Sequence, residues 1–91
     1  MTKSELITQT AGRTGLRRRD AELAVNAALE SICAALERGE RVQLTGFGTF
    51  ELRTNAQRPG HDPRTREPIV IPATQVPVFR PCQGLRERVS K

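Results

Sequence analysis

The sequence predicts an α+β fold, with an N-terminal helical pair, an antiparallel three-stranded sheet that carries a long protruding β-arm, and a short C-terminal helix. Apolar residues recur at helical spacing before Gly39 and at a period of two after it, and they almost vanish between Arg53 and Pro68. Because the helices come first and the strands follow together, an antiparallel sheet is favoured over alternating parallel strands. We expect one domain over residues 1–91, with a helical part at 1–40, a sheet part at 41–80 and a terminal helix within 81–91.

The two predicted N-terminal helices differ in how clearly their starts are marked. Thr2-Lys3-Ser4-Glu5 fits the S/T-x-x-E capping box, so the first helix is predicted from Lys3 to about Gly12, and Gly15 marks the connection to the next helix. The second has the stronger periodicity and stops naturally at Gly39. Its apolar positions are Ala21, Ala24, Val25, Ala28, Leu29, Ile32, Ala35 and Leu36. Three arginines, residues 17–19, stand where a capping residue is preferred, and they either touch a polyanion or form a solvated helix end.

The strands follow from alternation. Residues 41–45 and 49–53 alternate between polar and apolar side chains and predict two strands, with a tight turn at Gly46-Phe47-Gly48 between them. Ile69-Val70-Ile71 predicts the return to a strand, and the apolar signal continues to Phe79. The last helix is predicted at about Gln83 to Val89.

The composition and charge narrow the classes of partner that the protein could bind. The net charge is +5, the sequence pI is about 10.6, and 13 of the 15 basic residues are arginine. Charge alone fits nucleic acid, an acidic protein or an anionic membrane, but guanidinium forks match phosphate well and favour nucleic acid. No apolar run approaches the ~20 residues of a membrane span. With Cys33 and Cys82 far apart and one histidine, the zinc templates fail, so we expect reduced thiols in a cytoplasmic protein with no metal or cofactor.

The segment from Arg53 to Pro68 is the main candidate for function. It has almost no apolar residues, so it cannot build a core, and a loop of this length in a small domain is usually functional. Flanking strand residues predict a ribbon at about 53–70, roughly 25 Å long. Pro63 would lie at its tip, either as a wedge between base pairs or as part of an Asp62-Pro63 turn. The ribbon has four arginines suited to a polyanion and three side chains that offer hydrogen bonds, and its acids are Asp62 and Glu67; the arginines are Arg53, Arg58, Arg64 and Arg66, and the other three are Asn55, Gln57 and His61.

Several motifs together point to one family. The most specific is Gly-Phe-Gly-Thr-Phe at 46–50, followed at a fixed distance by Arg-Pro-Gly-His-Asp-Pro at 58–63. The segments that carry the resemblance, these two motifs included, are Met1 to Ile7, Val42 to Glu51, Arg58 to Thr65, Ile71-Pro72-Ala73 and Val76 to Pro81. These residues resemble the bacterial histone-like family of HU and integration host factor over nearly the whole chain. Because features of both branches are mixed, an HU-type homodimer is favoured over a subunit of a sequence-preferring integration host factor, which would imply a heterodimer.

The resemblance implies an intertwined dimer whose two β-arms enter the minor groove of double-stranded DNA. Pro63 would wedge between base pairs and bend the duplex. The protein would thereby compact the nucleoid. It would bind largely without regard to sequence and prefer nicked, kinked or flexible sites. The implied DNA-binding residues are Lys3, Arg53, Asn55, Arg58, His61, Pro63, Arg64, Arg66, Arg80 and Arg86. The implied dimer core is Leu29, Ile32, Leu36, Phe47, Phe50 and Phe79. Neither a membrane nor a small-molecule substrate is implied.

Three positions depart from the family pattern. Asp62 replaces the usual asparagine before the tip proline, and its carboxylate should cost affinity near phosphates. Arg66 replaces a tip glycine and should add a phosphate contact. Cys82 replaces a glycine before the last helix, where a thiol is either a poor cap or an oxidation-sensitive site.

Three other functions are weaker. Residues 45–50 faintly resemble the RNP1 motif of RNA-binding modules, but two helices precede the strands and the chain has no Tyr or Trp for base stacking. A purely structural dimerisation module would need the segment 53–68 to pack onto protein, which its lack of apolar residues opposes. With one histidine and no nucleophile–base pair, the sequence does not favour an enzyme.

Overall fold

The computed structural model describes residues 1–56, 58–61, 64, 68–71 and 73–90. Within these residues the order of elements is α1 (Lys3–Thr14), α2 (Arg18–Glu37), β1 (Val42–Leu44), β2 (Gly48–Asn55), β3 (Arg58–His61), β4 (Pro68–Ile71), β5 (Thr74–Pro81) and α3 (Gln83–Val89). The predicted α+β class, helical pair, antiparallel three-stranded sheet and C-terminal helix are confirmed. The chain divides into two compact units, Met1–Ala35 and Leu36–Lys91.

Helix α1 starts as predicted and ends later. The hydroxyl oxygen of Thr2 accepts a hydrogen bond from the Glu5 N–H at 3.2 Å, which confirms the N-cap. The helix continues to Thr14, two residues past the predicted end at about Gly12, and Gly15 marks the connection as predicted. Gly15 ends it by adopting a left-handed conformation (φ +75°) and donating its N–H to the carbonyl of Ala11 at 2.9 Å. A glycine inside a helix costs only about 1 kcal/mol, so Gly12 does not stop the helix.

The helical unit has a small buried core and a side-chain hydrogen bond between its two helices. Among the described residues, Ile7 in α1 and Ala21 in α2 are the buried apolar side chains. Arg18, at the first position of α2, donates from Nη2 to the Ser4 hydroxyl at 3.0 Å and lies 3.5 Å from the Glu22 carboxylate. The hydrogen bond from Arg18 to Ser4 therefore ties the start of α2 to α1.

The connection after α2 carries an exposed ion pair. The Arg38 guanidinium donates to both carboxylate oxygens of Glu40, at 3.0 and 3.2 Å. This hydrogen bond, with the charge of Arg38, lowers the pKa of Glu40 and in turn raises the pKa of Arg38. Gly39 between them has φ +77°, so its left-handed conformation allows the chain to leave the helix as predicted.

The sheet has the order β1-β2-β5, with both pairings antiparallel. The predicted tight turn between β1 and β2 is confirmed, because Gly46 has φ +85° and the Phe47 N–H donates to the Leu44 carbonyl at 3.0 Å. Phe50 pairs with Val42 on one side and with Phe79 on the other. Since directly paired residues share a face of a sheet, these residues build one apolar face.

The candidate DNA-binding ribbon continues the hairpin formed by β2 and β5. Strands β3 and β4 form a two-stranded antiparallel sheet, from Arg58 paired with Ile71 to His61 paired with Pro68. The last pair of β2 and β5 is Asn55 with Thr74, and two residues on each strand separate it from the first pair of β3 and β4. The register is thus the same on both sides of this gap. Within the connection 62–67 the structure describes Arg64 alone, in a turn, and the predicted tip residues Asp62, Pro63 and Arg66 lie outside the described residues.

Helix α3 has the predicted bounds and an unusual cap. Cys82 is its N-cap, and the half-buried Sγ accepts a hydrogen bond from the Leu85 N–H at 3.4 Å. Sulfur is a weak acceptor, which fits the expectation of a poor cap at this departure from the family pattern.

Candidate nucleic-acid interface

One face of the sheet carries most of its charge. Arg80 pairs with Thr49 and Val78 pairs with Glu51, so these side chains share the face opposite the phenylalanines. Arg53, two residues beyond Glu51 on β2, lies on the same face by strand alternation. Arg41 immediately precedes β1 and reaches this face as well, because it contacts Glu51. We call this surface, defined by Arg41, Glu51, Arg53 and Arg80, the basic face.

Glu51 is held between two arginines on the basic face. Its Oε2 lies 3.6 Å from Nε of Arg41, and its Oε1 contacts Nε of Arg80. The Glu51 side chain is 24 % exposed, whereas those of Arg41 and Arg80 are 65 % and 74 % exposed. The Glu51 side chain is therefore largely covered, while both arginine side chains remain open to solvent.

A shallow cleft lies at one end of the basic face. Its volume is about 330 Å³, and Arg41, Gln43, Thr49 and Arg80 are among the residues that line it. Guanidinium, amide and hydroxyl groups all donate hydrogen bonds, and the two arginines supply positive charge. The cleft is thus suited to an anion with several acceptor oxygens, such as a phosphate.

The predicted arm residues that the structure describes lie on two strands and in a turn. Arg53 and Asn55 are exposed at the end of β2, and Arg64 is exposed in the turn region. Arg58 and His61 begin and end β3, so the ribbon brings both onto a single strand four residues long. The positions of Arg58 and His61 along the hairpin agree with the expected arm, while a role in binding stays a prediction for each of them.

The predicted body contacts belong to different parts of the chain. Arg80 on β5 joins Arg53 on the basic face, and Arg86 is exposed in α3, which follows β5 directly. Lys3 is exposed at the first position of α1, in the helical unit. A role for Lys3 in DNA binding stays a prediction.

The three phenylalanines form a cluster that the chain covers only in part. The ring of Phe79 lies 5.3 Å from that of Phe47 and 4.8 Å from that of Phe50, measured between centroids. Phe47 is nevertheless 47 % exposed and Phe79 38 % exposed. Of the predicted dimer-core residues in α2, Leu29 is also exposed, and Ile32 and Leu36 are half-buried. These apolar side chains lack the cover that a core normally provides.

Two observations bear on other functions. In the described part of the chain, no group of three or more His, Cys, Asp or Glu side chains is arranged to hold a metal ion. None of the helices among those residues has the length and hydropathy that spanning a bilayer requires.

The sequence analysis missed Arg41 and Glu51 as members of the candidate site. The alternation of residues 41–45 was visible and would have placed Arg41 opposite the apolar residues of β1. What the alternation could not give is the register between strands, which brings Arg41, Glu51 and Arg80 together from three parts of the sequence.

Comparisons with known proteins agree with this arrangement. A family model described as bacterial DNA-binding protein matches residues 1–90. A DNA-binding protein HU from Clostridium pasteurianum is 54 % identical over the full length of both chains. This chain belongs to the HU family of bacterial DNA-binding proteins. The predicted resemblance is thereby confirmed.

Other relatives of this HU-family chain extend the comparison. HU from Thermotoga maritima is 47 % identical over 98 % of this chain and 99 % of its own length. Among solved structures, an Anabaena HU–DNA cocrystal structure is similar with a TM-score of 0.90 and 40 % identity, covering 99 % of this chain and 98 % of that one. The V42I mutant of Thermotoga maritima HU has a TM-score of 0.74 and 34 % identity, with 99 % and 100 % covered. The family is one of DNA-binding proteins and not of enzymes.

Proposed function

We propose that this chain is a histone-like protein that binds double-stranded DNA largely without regard to sequence, bends it as a homodimer, and thereby compacts the nucleoid. The observation that carries the proposal is the basic face joined to a hairpin that extends from the same strands, in a chain of the HU family. The similarity to an HU solved in complex with DNA, at a TM-score of 0.90, supports the same function.

Phosphate contacts would supply most of the affinity. Arg41, Arg53 and Arg80 on the basic face are exposed, and guanidinium groups pair with phosphate oxygens through two parallel hydrogen bonds. Such contacts release counterions, so affinity should fall steeply as the salt concentration rises. Because phosphates carry no sequence information, binding of this kind tolerates different sequences.

Bending would come from the hairpin. In this proposal two arms, one from each protomer, enter the minor groove, and Pro63 at each tip wedges between base pairs. Bending a short site costs about 1–6 kcal/mol, which the contacts of both arms and both basic faces would offset. Nicked or kinked duplexes require less free energy to bend, so the protein should bind them more tightly.

A second copy of the chain would cover the exposed aromatic cluster. The rings of Phe47 and Phe79 are in contact at a tilted angle and partly exposed, and the buried apolar residues described in this chain, Ile7 and Ala21, make a small core. A domain of this size buries only ~60–65 % of the surface of its unfolded chain, so dimerisation would add stability that one chain lacks. Leu29, Ile32, Leu36 and Phe50 would complete the shared core.

The test is the binding of the purified chain to three labelled duplexes, one linear, one nicked and one of unrelated sequence, at two salt concentrations. We expect similar affinity for the two sequences, tighter binding to the nicked duplex and a steep salt dependence. Arg53→Gln should weaken all three, whereas Arg13→Gln, which removes the same charge from the last turn of α1, should have a smaller effect. Strong preference for one sequence would instead indicate an integration-host-factor type of subunit, and no binding at low salt would refute the proposal.

A further inference from the structure

Glu51 is an acidic residue at the centre of the surface proposed to bind a polyanion. Its carboxylate bridges Arg41 and Arg80, using a different oxygen for each. Building on the DNA binding proposed above, we propose that Arg41 and Arg80 form a subsite for a single phosphodiester group of duplex DNA, and that Glu51 is the positioning residue that holds both guanidinium groups for it.

The three residues come together because of the sheet register. Arg41 precedes β1, Glu51 lies in the central strand β2, and Arg80 lies in β5 on the other side. Val42 pairs with Phe50 and Thr49 pairs with Arg80, which places Glu51 within reach of a cation from each neighbouring strand. The strand pairing therefore fixes the positions of the Cα atoms of all three residues.

Glu51 contacts both arginines in a way that leaves available the guanidinium nitrogens that would bind a phosphate. Both contacts are made through Nε, the guanidinium nitrogen nearest the main chain. Four of the five N–H groups of an arginine are on Nη1 and Nη2, and these form the fork that suits a phosphate. The carboxylate thus holds the stem side of each guanidinium group.

Holding the arginines in advance should favour binding. Each arginine side chain is largely exposed, and a free arginine side chain loses much rotamer freedom when a ligand fixes it. A side chain that is already ordered avoids that cost at the moment of binding. Glu51 also separates two like charges that would otherwise repel each other, and the trio retains a net charge of one positive unit.

The shape of the surface agrees with a phosphate. The cleft of about 330 Å³ is lined by both arginines together with Gln43 and Thr49, whose side chains carry an amide and a hydroxyl group. These polar groups can donate to the oxygens that the arginines do not reach. A phosphodiester carries one negative charge, which matches the single net charge of the trio.

Two roles for Glu51 predict opposite outcomes. If the carboxylate only repels DNA, Glu51→Gln raises the charge of the basic face and tightens binding. If the carboxylate positions the arginines, Glu51→Gln weakens binding although the protein becomes more positive. Arg41→Lys with Arg80→Lys keeps both charges but removes Nε–H and the fork, so the positioning role predicts a loss for this variant as well.

The experiment measures dissociation constants for a labelled linear duplex over a series of salt concentrations, with thermal unfolding of each variant as a check on folding. We expect Glu51→Gln to weaken binding about fivefold, through the lost ordering of both side chains, and to reduce the slope of log affinity against log salt by about one phosphate contact. In the Arg41→Gln/Arg80→Gln background, adding Glu51→Gln should change the affinity by less than about twofold.

Tighter binding of Glu51→Gln would overturn the positioning role. An equal loss in the background without both arginines would overturn it too, because Glu51 would then act through other residues. The double lysine variant decides the matter if Glu51→Gln does not fold, and wild-type affinity in that variant refutes the subsite. If the wild-type chain bound no duplex at all, the proposed function itself would fail, whereas wild-type binding with an unchanged Glu51→Gln variant would refute the subsite alone.

Discussion

A Cβ atom added to Gly48 would lie 2.6 Å from the Cε1 ring carbon of Phe79, and equally close to the carbonyl oxygen of Arg80. Gly48 is the first residue of β2 and is buried, so β5 and the aromatic ring pack directly against its bare Cα. The glycine is needed here for space, since a positive φ is recorded at Gly46 and not at Gly48. The close approach couples the turn at residues 45–47 to the aromatic cluster.

Gly48→Ala should destabilise the protein by about 1–3 kcal/mol, because the added methyl group displaces either the ring of Phe79 or the strand β5. Urea unfolding followed by circular dichroism measures the change. Gly12→Ala is the matched control, because Gly12 lies inside α1 with open space around its Cα, and this variant should gain about 0.5–1 kcal/mol. Equal midpoints for the two variants would show that β5 is not packed against Gly48.

Phe47→Ala should weaken the proposed homodimer. Phe47 is 47 % exposed in the single chain, so a partner protomer would bury it, and truncation of a buried aromatic anchor costs at least about 2 kcal/mol. Sedimentation equilibrium over a concentration range measures the dissociation constant. Leu23→Ala is the control, since Leu23 is 61 % exposed in α2 and is outside the predicted dimer core. A dimer unaffected by Phe47→Ala would place the interface elsewhere.

Arg58→Ala should weaken binding to all duplex sequences by a similar factor. Arg58 begins β3, and in the proposed function it contacts phosphates, so its loss should lower the salt slope by about one contact. Fluorescence anisotropy with two unrelated duplexes at several salt concentrations measures both quantities. A loss confined to one sequence would mean that Arg58 contacts base edges.

Pro63→Ala should reduce DNA bending more than DNA binding. An alanine at the arm tip presents a smaller wedge, while the phosphate contacts of the basic face are left unchanged. Energy transfer between dyes at the two ends of a duplex reports the bend, and anisotropy under the same conditions reports the affinity. An unchanged transfer efficiency at saturation would argue that the proline is only a turn residue.

The sequence was sufficient for those parts of the fold that depend on local chemistry. Thr2, Gly39 and the Gly46 turn act within a few residues of their own positions, so capping and turn rules predicted them correctly. The predicted end of α1, at about Gly12, is two residues early, although Gly15 is correctly predicted as the connection, because both glycines are plausible stops on local grounds. Choosing between them depends on which glycine takes the left-handed conformation.

The candidate site was predictable only in part. The arginines of the arm stood out because no apolar residues surround them, and the hairpin register agrees with that expectation. Glu51 and Arg41 were missed since their importance comes from pairing across three strands, which no local pattern contains. Strand register is a long-range property, and a single sequence specifies it only through the summed burial of whole faces.

The shared register of the pairs Asn55–Thr74 and Arg58–Ile71 also limits how this hairpin could change length. Adding or deleting one residue on one strand alone would send every later side chain to the opposite face and shift each later partner by one position. An evolutionary or engineered change in arm length should therefore occur as matched insertions on both strands, in steps of two residues per strand if side chains nearer the tip are to keep their facing.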